Sequence, residues 1–226
     1  MGARGAMMPA VCGALACIAA ACSEGRPLAT QTPDAVLASD SCRACHGSPQ
    51  SPAPPRDLQG NFDTSAIGVG AHQAHLTGAH SLTTPIACDE CHRVPTELHS
   101  PGHLDHPLPA QVTFGQLAVA DGAAPTWSHS QATCSATYCH GNGMALSRDT
   151  TPNLVRAPVW TAGGSQLFCG SCHGIPPRDA THSLNIDIGD CYRCHAGTVD
   201  PAGNIIFSGP ARTSLHINGV VDVQSP

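Results

Sequence analysis

The sequence has no lysine and few aromatic or charged residues. All ten basic residues are arginine, only 4% of the 226 residues are aromatic, 12% are charged, and the formal net charge is -6. This balance argues against nucleic acid as a partner, because nucleic-acid binding needs a clustered basic surface. With two Trp, two Tyr and four Phe, the chain also has few of the large side chains that fill a core of this size. Something other than side chains must fill the interior.

Turn-forming residues are abundant, since the chain contains 20 Pro and 23 Gly. They interrupt most long helices and strands. We therefore predict a fold that is mostly coil, with short α-helices and a few short strands. The candidate strands are residues 112–114, 204–207 and 220–223.

The N-terminal segment predicts export. Arg4 precedes an apolar, alanine-rich stretch that is short for a membrane span, so residues 1–21 are predicted to be a signal peptide. The boundary from Ile18 to Cys22 resembles a bacterial lipobox, which predicts lipidation at Cys22, and Ser23 after it favours the outer membrane. Plain cleavage nearby is the alternative. Residues 22–41 then form a flexible tether, and the protein is expected in the periplasm, on the outer membrane or at the cell surface.

Ten of the 13 cysteines form five pairs, and each pair is followed directly by histidine. Four pairs have the spacing C-x-x-C-H and one has C-x-x-x-x-C-H. C-x-x-C-H is the attachment signature of c-type haem: two thiols add across the vinyl groups at one porphyrin edge, and the next residue places its imidazole under the iron. The sequence thus predicts five covalently attached haems. Their anchors are Cys42, Cys45, Cys88, Cys91, Cys134, Cys139, Cys169, Cys172, Cys191 and Cys194, and their proximal iron ligands are His46, His92, His140, His173 and His195.

Disulfides and zinc are the alternatives for paired cysteines. Export is compatible with disulfides, and zinc sites also use C-x-x-C. Neither requires a histidine directly after every pair, so both explain the pattern less well than haem does.

The chain resembles the multihaem cytochromes of metal-reducing bacteria that combine a CxxxxCH site with a following CxxCH site. The resemblance implies electron transfer, often toward metals or other extracellular acceptors. The resemblance spans residues 42–223. The segments that carry it are residues 138–141, Trp160 and residues 169–177, together with residues 70–76, 102–105 and 111–115.

The resemblance also implies which histidines take the sixth position on each iron. Met144 is the one methionine outside the signal segment, so methionine serves one haem at most, whereas nine histidines lie outside the attachment motifs. The pattern of the family implies five distal ligands among them: His72, His75, His103, His182 and His216. Four histidines are left without a predicted ligand role: His80, His99, His106 and His129. Which histidine serves which haem stays open, although His72 and His75 are close enough in sequence to serve adjacent haems.

An internal repeat predicts a modular organisation. Pro54-Pro55-Arg56-Asp57, after the first motif, echoes Pro176-Pro177-Arg178-Asp179 after the fourth, and the segments after the second and fifth motifs are also alike. We predict a two-haem module at 42–115, a CxxxxCH haem segment at 116–165 and a second two-haem module at 166–226.

These features predict an electron carrier rather than an enzyme. Iron held by two imidazoles has no vacant position for a substrate, and the CxxCK site of pentahaem nitrite reductases would need a lysine. The expected partners are other redox proteins or extracellular electron acceptors. The rival interpretations are a multihaem reductase, a subunit that self-associates into a haem-lined filament, and a metal store that uses the spare histidines.

Overall fold

The computed structural model describes residues 42–49, 53–77, 82–182 and 185–224. The predicted signal peptide, the whole of the predicted tether, the predicted lipidation site at Cys22 and the spare His80 lie outside these residues. The described residues belong to one unit. The division into modules remains a prediction.

Coil and short helical turns make up most of the described chain, so the predicted fold class is confirmed. Helix α1 spans His72–Thr77. The 3-10 helices of the described residues span Cys88–Glu90, Ala120–Gly122, Tyr138–His140, Leu146–Arg148, Gly164–Gln166 and Ile188–Arg193. No helix among the described residues is long and apolar enough to cross a membrane.

The strands lie elsewhere than predicted. Strand β1 (Thr126–Ser128) pairs antiparallel with β2 (Thr133–Ser135), with Trp127 opposite Cys134. Residues 112–114 and 220–223 are not strands, and 204–207 forms only an isolated bridge at Ile205. The prediction was wrong because the extended segments lie along attachment motifs instead of along other strands: Thr113 N–H donates to the Cys91 carbonyl, and Gln224 N–H to that of Cys194.

Three of the CxxCH motifs form the same helical turn. The histidine N–H donates to the carbonyl of the first cysteine at 2.9 Å in each, from His46 to Cys42, from His92 to Cys88 and from His195 to Cys191. Residues three positions apart share one side of a helical turn. The turn therefore places both cysteines of a motif on one side, with the histidine following directly.

The buried part of the described chain surrounds the CxxxxCH motif. Thr137, Tyr138 and His140 are each less than a tenth exposed, and the Tyr138 hydroxyl donates to the Val220 carbonyl at 3.2 Å. Elsewhere in the described residues the buried hydrophobic side chains are small: Ala53, Val69, Ala118 and Ala123. Large apolar residues such as Phe62 and Phe168 are more than half exposed. Packing between apolar side chains therefore contributes little core here.

Candidate functional site

Cysteine thiols in and beside the CxxxxCH motif have strongly raised pKa values. Burial is the main cause that raises the pKa of Cys91 and Cys134 to about 11 and of Cys139 to about 12. Redox-active cysteines show the opposite behaviour, because nearby positive charge lowers their pKa. These thiols are thus placed as structural anchors.

Motifs that are adjacent in the sequence also lie close together in the described structure. Coulomb interactions between thiols in solvent fade beyond about 10 Å, so a mutual effect on the pKa marks neighbours. After burial, a cysteine of the preceding motif adds to the raised pKa in each case: Cys42 for Cys88, Cys91 for Cys134 and Cys139, and Cys169 for Cys191. The third and fourth motifs meet at Gly141, where a Cβ would lie 2.4 Å from the Cys172 carbonyl oxygen.

Hydrogen bonds link the second and third motifs. The Glu90 carboxylate, inside the second motif, accepts from the N–H groups of Leu117 and Ala118 at 2.9 and 3.2 Å. The Ala118 carbonyl in turn accepts from the N–H of Tyr138, inside the third motif, at 3.0 Å. A short run of backbone thus fixes one attachment site against the next.

Four of the five motif histidines face a second imidazole from a distant part of the chain. The centres of the paired rings are 6.0 to 6.3 Å apart, and each partner is one of the histidines singled out in the sequence. The pairs are His46 with His103 (6.0 Å), His92 with His72 (6.2 Å), His140 with His75 (6.1 Å) and His173 with His216 (6.3 Å).

This spacing is what two imidazoles need to share one metal ion. Two metal–nitrogen bonds of about 2 Å, plus the distance from each nitrogen to its ring centre, separate the ring centres by about 6 Å. Direct stacking would bring the rings closer. His72 and His75 both lie on α1, yet they face the histidines of two different motifs.

Hydrogen bonds at Nδ1 leave Nε2 available in most of these rings. A carbonyl oxygen can only accept, so an Nδ1 that bonds to it carries the proton, and the other nitrogen is free to bind a metal. Seven of the ten candidate ligands make this bond to a backbone carbonyl: His72, His75, His92, His103, His173, His195 and His216. In His182 the acceptor is the Asp179 carboxylate.

Burial also keeps several of these imidazoles neutral. It lowers the pKa of His140 to about 4 and lowers those of His46, His72 and His216 in the same direction. Neutral imidazole is the form that binds a metal.

The fifth motif differs from the others. Within the described residues, neither His195 nor His182 faces another imidazole at the spacing found in the four pairs. His195 donates through Nδ1 to the Asp222 carbonyl at 2.7 Å. The spare histidines His99, His106 and His129 are exposed.

Trp160 packs against both histidines of α1. Its ring centre is 4.8 Å from that of His72 and 5.5 Å from that of His75. Its Nε1 donates to the Ile67 carbonyl at 2.9 Å. The indole therefore holds the two imidazoles that face the second and third motifs.

Asp149 is a buried anchor that the sequence did not single out. It is 6% exposed, and its carboxylate accepts from Thr151 N–H, Thr151 Oγ1, Gly174 N–H and Arg178 N–H at 2.6 to 2.9 Å. Gly174 directly follows His173, so Asp149 fixes the fourth motif to the loop after the third. Two of the three partners lie 25 and 29 residues away, and no local pattern signals such contacts.

Replacing Asp149 with alanine should lower the free energy of unfolding by about 3 kcal/mol, because buried N–H donors lose a charged acceptor. Burial raises the pKa of Asp149, but its hydrogen bonds outweigh burial and lower the pKa well below the usual range. The stabilisation is therefore complete above about pH 4 and is lost as the pH falls further. Denaturant titrations at pH 7 and pH 3 measure both effects. Equal pH dependence in wild type and Asp149→Asn would contradict this role.

The residues present fit haem c. Each motif supplies two thiols and an adjacent histidine, and four motif histidines have a second imidazole at the spacing for a shared iron. The Nε of Arg156 is also buried without an acceptor in the described structure. Burial raises the pKa of Cys172, and Arg156 lies close enough to that thiol to offset part of the rise. A guanidinium N–H in this place suits a carboxylate such as a haem propionate.

Comparison with known proteins agrees with this chemistry. Residues 133–173, which contain the CxxxxCH motif and the CxxCH motif after it, match a family model described as the Geobacter CxxxxCH...CXXCH motif. No curated protein and no solved structure matches the chain. Three further CxxCH motifs lie outside the matched segment. This segment is therefore similar to the CxxxxCH...CXXCH motif family, and together with the further CxxCH motifs the match supports a multihaem c-type cytochrome.

Proposed function

We propose that this protein is a five-haem electron carrier in which every iron is held by two histidines. It works outside the cytoplasm, anchored through Cys22 to the outer membrane, and exchanges electrons with other redox proteins or with extracellular acceptors such as metals. The haem iron supplies one-electron chemistry. The chain's own residues hold the irons, orient the imidazoles and leave no position for a substrate.

The four facing imidazole pairs carry this proposal. In each pair a motif histidine and a distant histidine stand 6.0 to 6.3 Å apart. An enzyme needs at least one iron with a vacant position, whereas a carrier needs none. Bis-histidine ligation at these four sites therefore favours electron transfer over catalysis.

For the fifth site, the internal repeat supports His182 as the partner of His195. The second and fifth motifs make the same two kinds of hydrogen bond. In the second motif, His92 Nδ1 donates to the Gln111 carbonyl, and the Cys91 carbonyl accepts from Thr113 N–H. In the fifth motif, His195 Nδ1 donates to the Asp222 carbonyl, and the Cys194 carbonyl accepts from Gln224 N–H. In the first repeat, His72 follows the first motif and faces His92 of the second motif. By the same rule, His182, after the fourth motif, serves the fifth.

The order of the motifs supports conduction along the chain. Each motif neighbours the next one in sequence, so an electron has a continuous route between the first and the fifth. The candidate signal peptide and the lipobox-like segment before Cys22 support the location, because covalent haem is attached on the exported side of the membrane.

The mass of the mature protein tests haem number and anchor together. We expect five haem additions and a lipid at Cys22, and an oxidised EPR spectrum that contains only low-spin iron. Fewer than five haems would refute the haem count, and exactly four would implicate the CxxxxCH site. A high-spin ferric signal would refute bis-histidine ligation at every iron, and a mass without lipid would refute the anchor alone.

A further inference from the structure

The candidate ligands differ in what holds their Nδ1. Seven donate to a neutral backbone carbonyl, as described above. His182 instead donates to a carboxylate: its Nδ1 lies 2.9 and 3.1 Å from the two oxygens of Asp179. Among the described ligand candidates, His182 is the one whose acceptor carries a full negative charge.

Asp179 is held rigidly in this position. One of its oxygens also accepts from the N–H groups of Thr181 and His182 at 2.8 and 2.9 Å. Its side chain is only 11% exposed, so solvent screens its charge less than at the surface. The carboxylate therefore acts on the imidazole from a defined distance.

The corresponding aspartate of the first repeat contacts no imidazole within the described residues. Asp57 is the last residue of Pro54-Pro55-Arg56-Asp57, and Asp179 is the last residue of Pro176-Pro177-Arg178-Asp179. Its carboxylate accepts from Asn61 and Gln59. The two repeats thus share the aspartate but use it differently.

We propose that Asp179 lowers the reduction potential of the haem that His182 ligates and makes it the lowest of the five. This inference rests on the proposed function. A carboxylate that accepts from Nδ1 draws the proton toward itself, which makes Nε2 a stronger donor and stabilises ferric over ferrous iron. The negative charge acts in the same direction, since ferric haem carries one more positive charge than ferrous haem.

The CxxxxCH site lies at the opposite extreme. His140 is buried, and its Nδ1 has no hydrogen-bond partner within the described structure. A weaker donor in dry surroundings favours ferrous iron.

The test is a potentiometric titration of the holoprotein followed by absorbance and EPR. Asp179→Asn keeps the size of the side chain and an acceptor oxygen but removes the charge. The lowest potential should rise by about 59 mV, which corresponds to a tenfold change in the equilibrium constant of a one-electron couple. The Asp179→Glu protein retains the charge, so its potentials should stay near those of the wild type. Asp57→Asn should leave every potential unchanged. In a His182→Ala background, Asp179→Asn should shift the potential by less than in the wild type, because only the direct effect of the charge on the iron remains.

The outcomes separate this inference from the proposed function. Unchanged potentials in Asp179→Asn, with five haems and low-spin iron, would overturn the role of Asp179 and leave the electron carrier intact. A high-spin signal in Asp179→Asn would show that Asp179 only holds His182 in place. That result would also overturn the proposed effect of Asp179 on the reduction potential. Fewer than five haems in the wild type would refute the proposed function itself.

Discussion

Replacing His75 with alanine should convert one haem of the oxidised protein from low spin to high spin. His75 faces His140 with ring centres 6.1 Å apart, so the substitution removes the second imidazole from the CxxxxCH site. An iron with one strong axial ligand, or with water as its sixth, is high spin. EPR and the charge-transfer absorbance of the ferric protein should show one high-spin haem beside the remaining low-spin haems.

His106→Ala is the matched control for His75→Ala. His106 is exposed, and its Nε2 contacts the Gln111 side chain at 2.8 Å. The control should retain a fully low-spin spectrum. A fully low-spin His75→Ala protein would mean that another residue ligates the iron at the CxxxxCH site.

Gly70→Ala should strongly destabilise the structure around α1. Gly70 has a φ of +41°, and an added Cβ would lie 1.8 Å from Trp160 Nε1. Either the indole or the start of α1 must move, and Trp160 packs against both His72 and His75. We expect a loss of about 3 kcal/mol in the free energy of unfolding from the collision and the backbone strain, together with a disturbed low-spin spectrum.

Gly60→Ala separates strain from collision. Gly60 also has a positive φ, +89°, but an added Cβ there meets nothing within 4 Å. Its cost should be confined to the backbone, about 1 kcal/mol. Denaturant titrations of both variants give the comparison. Equal losses would show that the indole moves aside freely and that Trp160 does not hold the α1 imidazoles.

The candidate attachment motifs could be recognised in the sequence because their residues are local. A thiol pair and its histidine lie within five residues in CxxCH and seven in CxxxxCH, and in three CxxCH motifs one helical turn suffices to form the arrangement. The general fold class was also predictable, since frequent Pro and Gly exclude long elements. The strand positions were not, because residues 112–114 bond to the Cys91 region and not to another strand.

Partnerships between distant segments required the tertiary structure. The sequence named His103 and His216 as candidates but did not say that His103 faces His46 or that His216 faces His173. Nor did it indicate that Asp149 anchors the fourth motif or that Trp160 packs on both histidines of α1. Each of these contacts joins residues separated by tens of positions, and no short pattern encodes them.

By itself, the sequence of this protein determined the candidate attachment motifs: which cysteines form pairs and which histidine follows each pair. Those facts depend on bonds between neighbours along the chain. The tertiary structure alone decided which imidazole faces which, how each Nδ1 is held and in what order the motifs stand. These depend on how distant segments pack, where many weak contacts act together and no single residue type dictates the result.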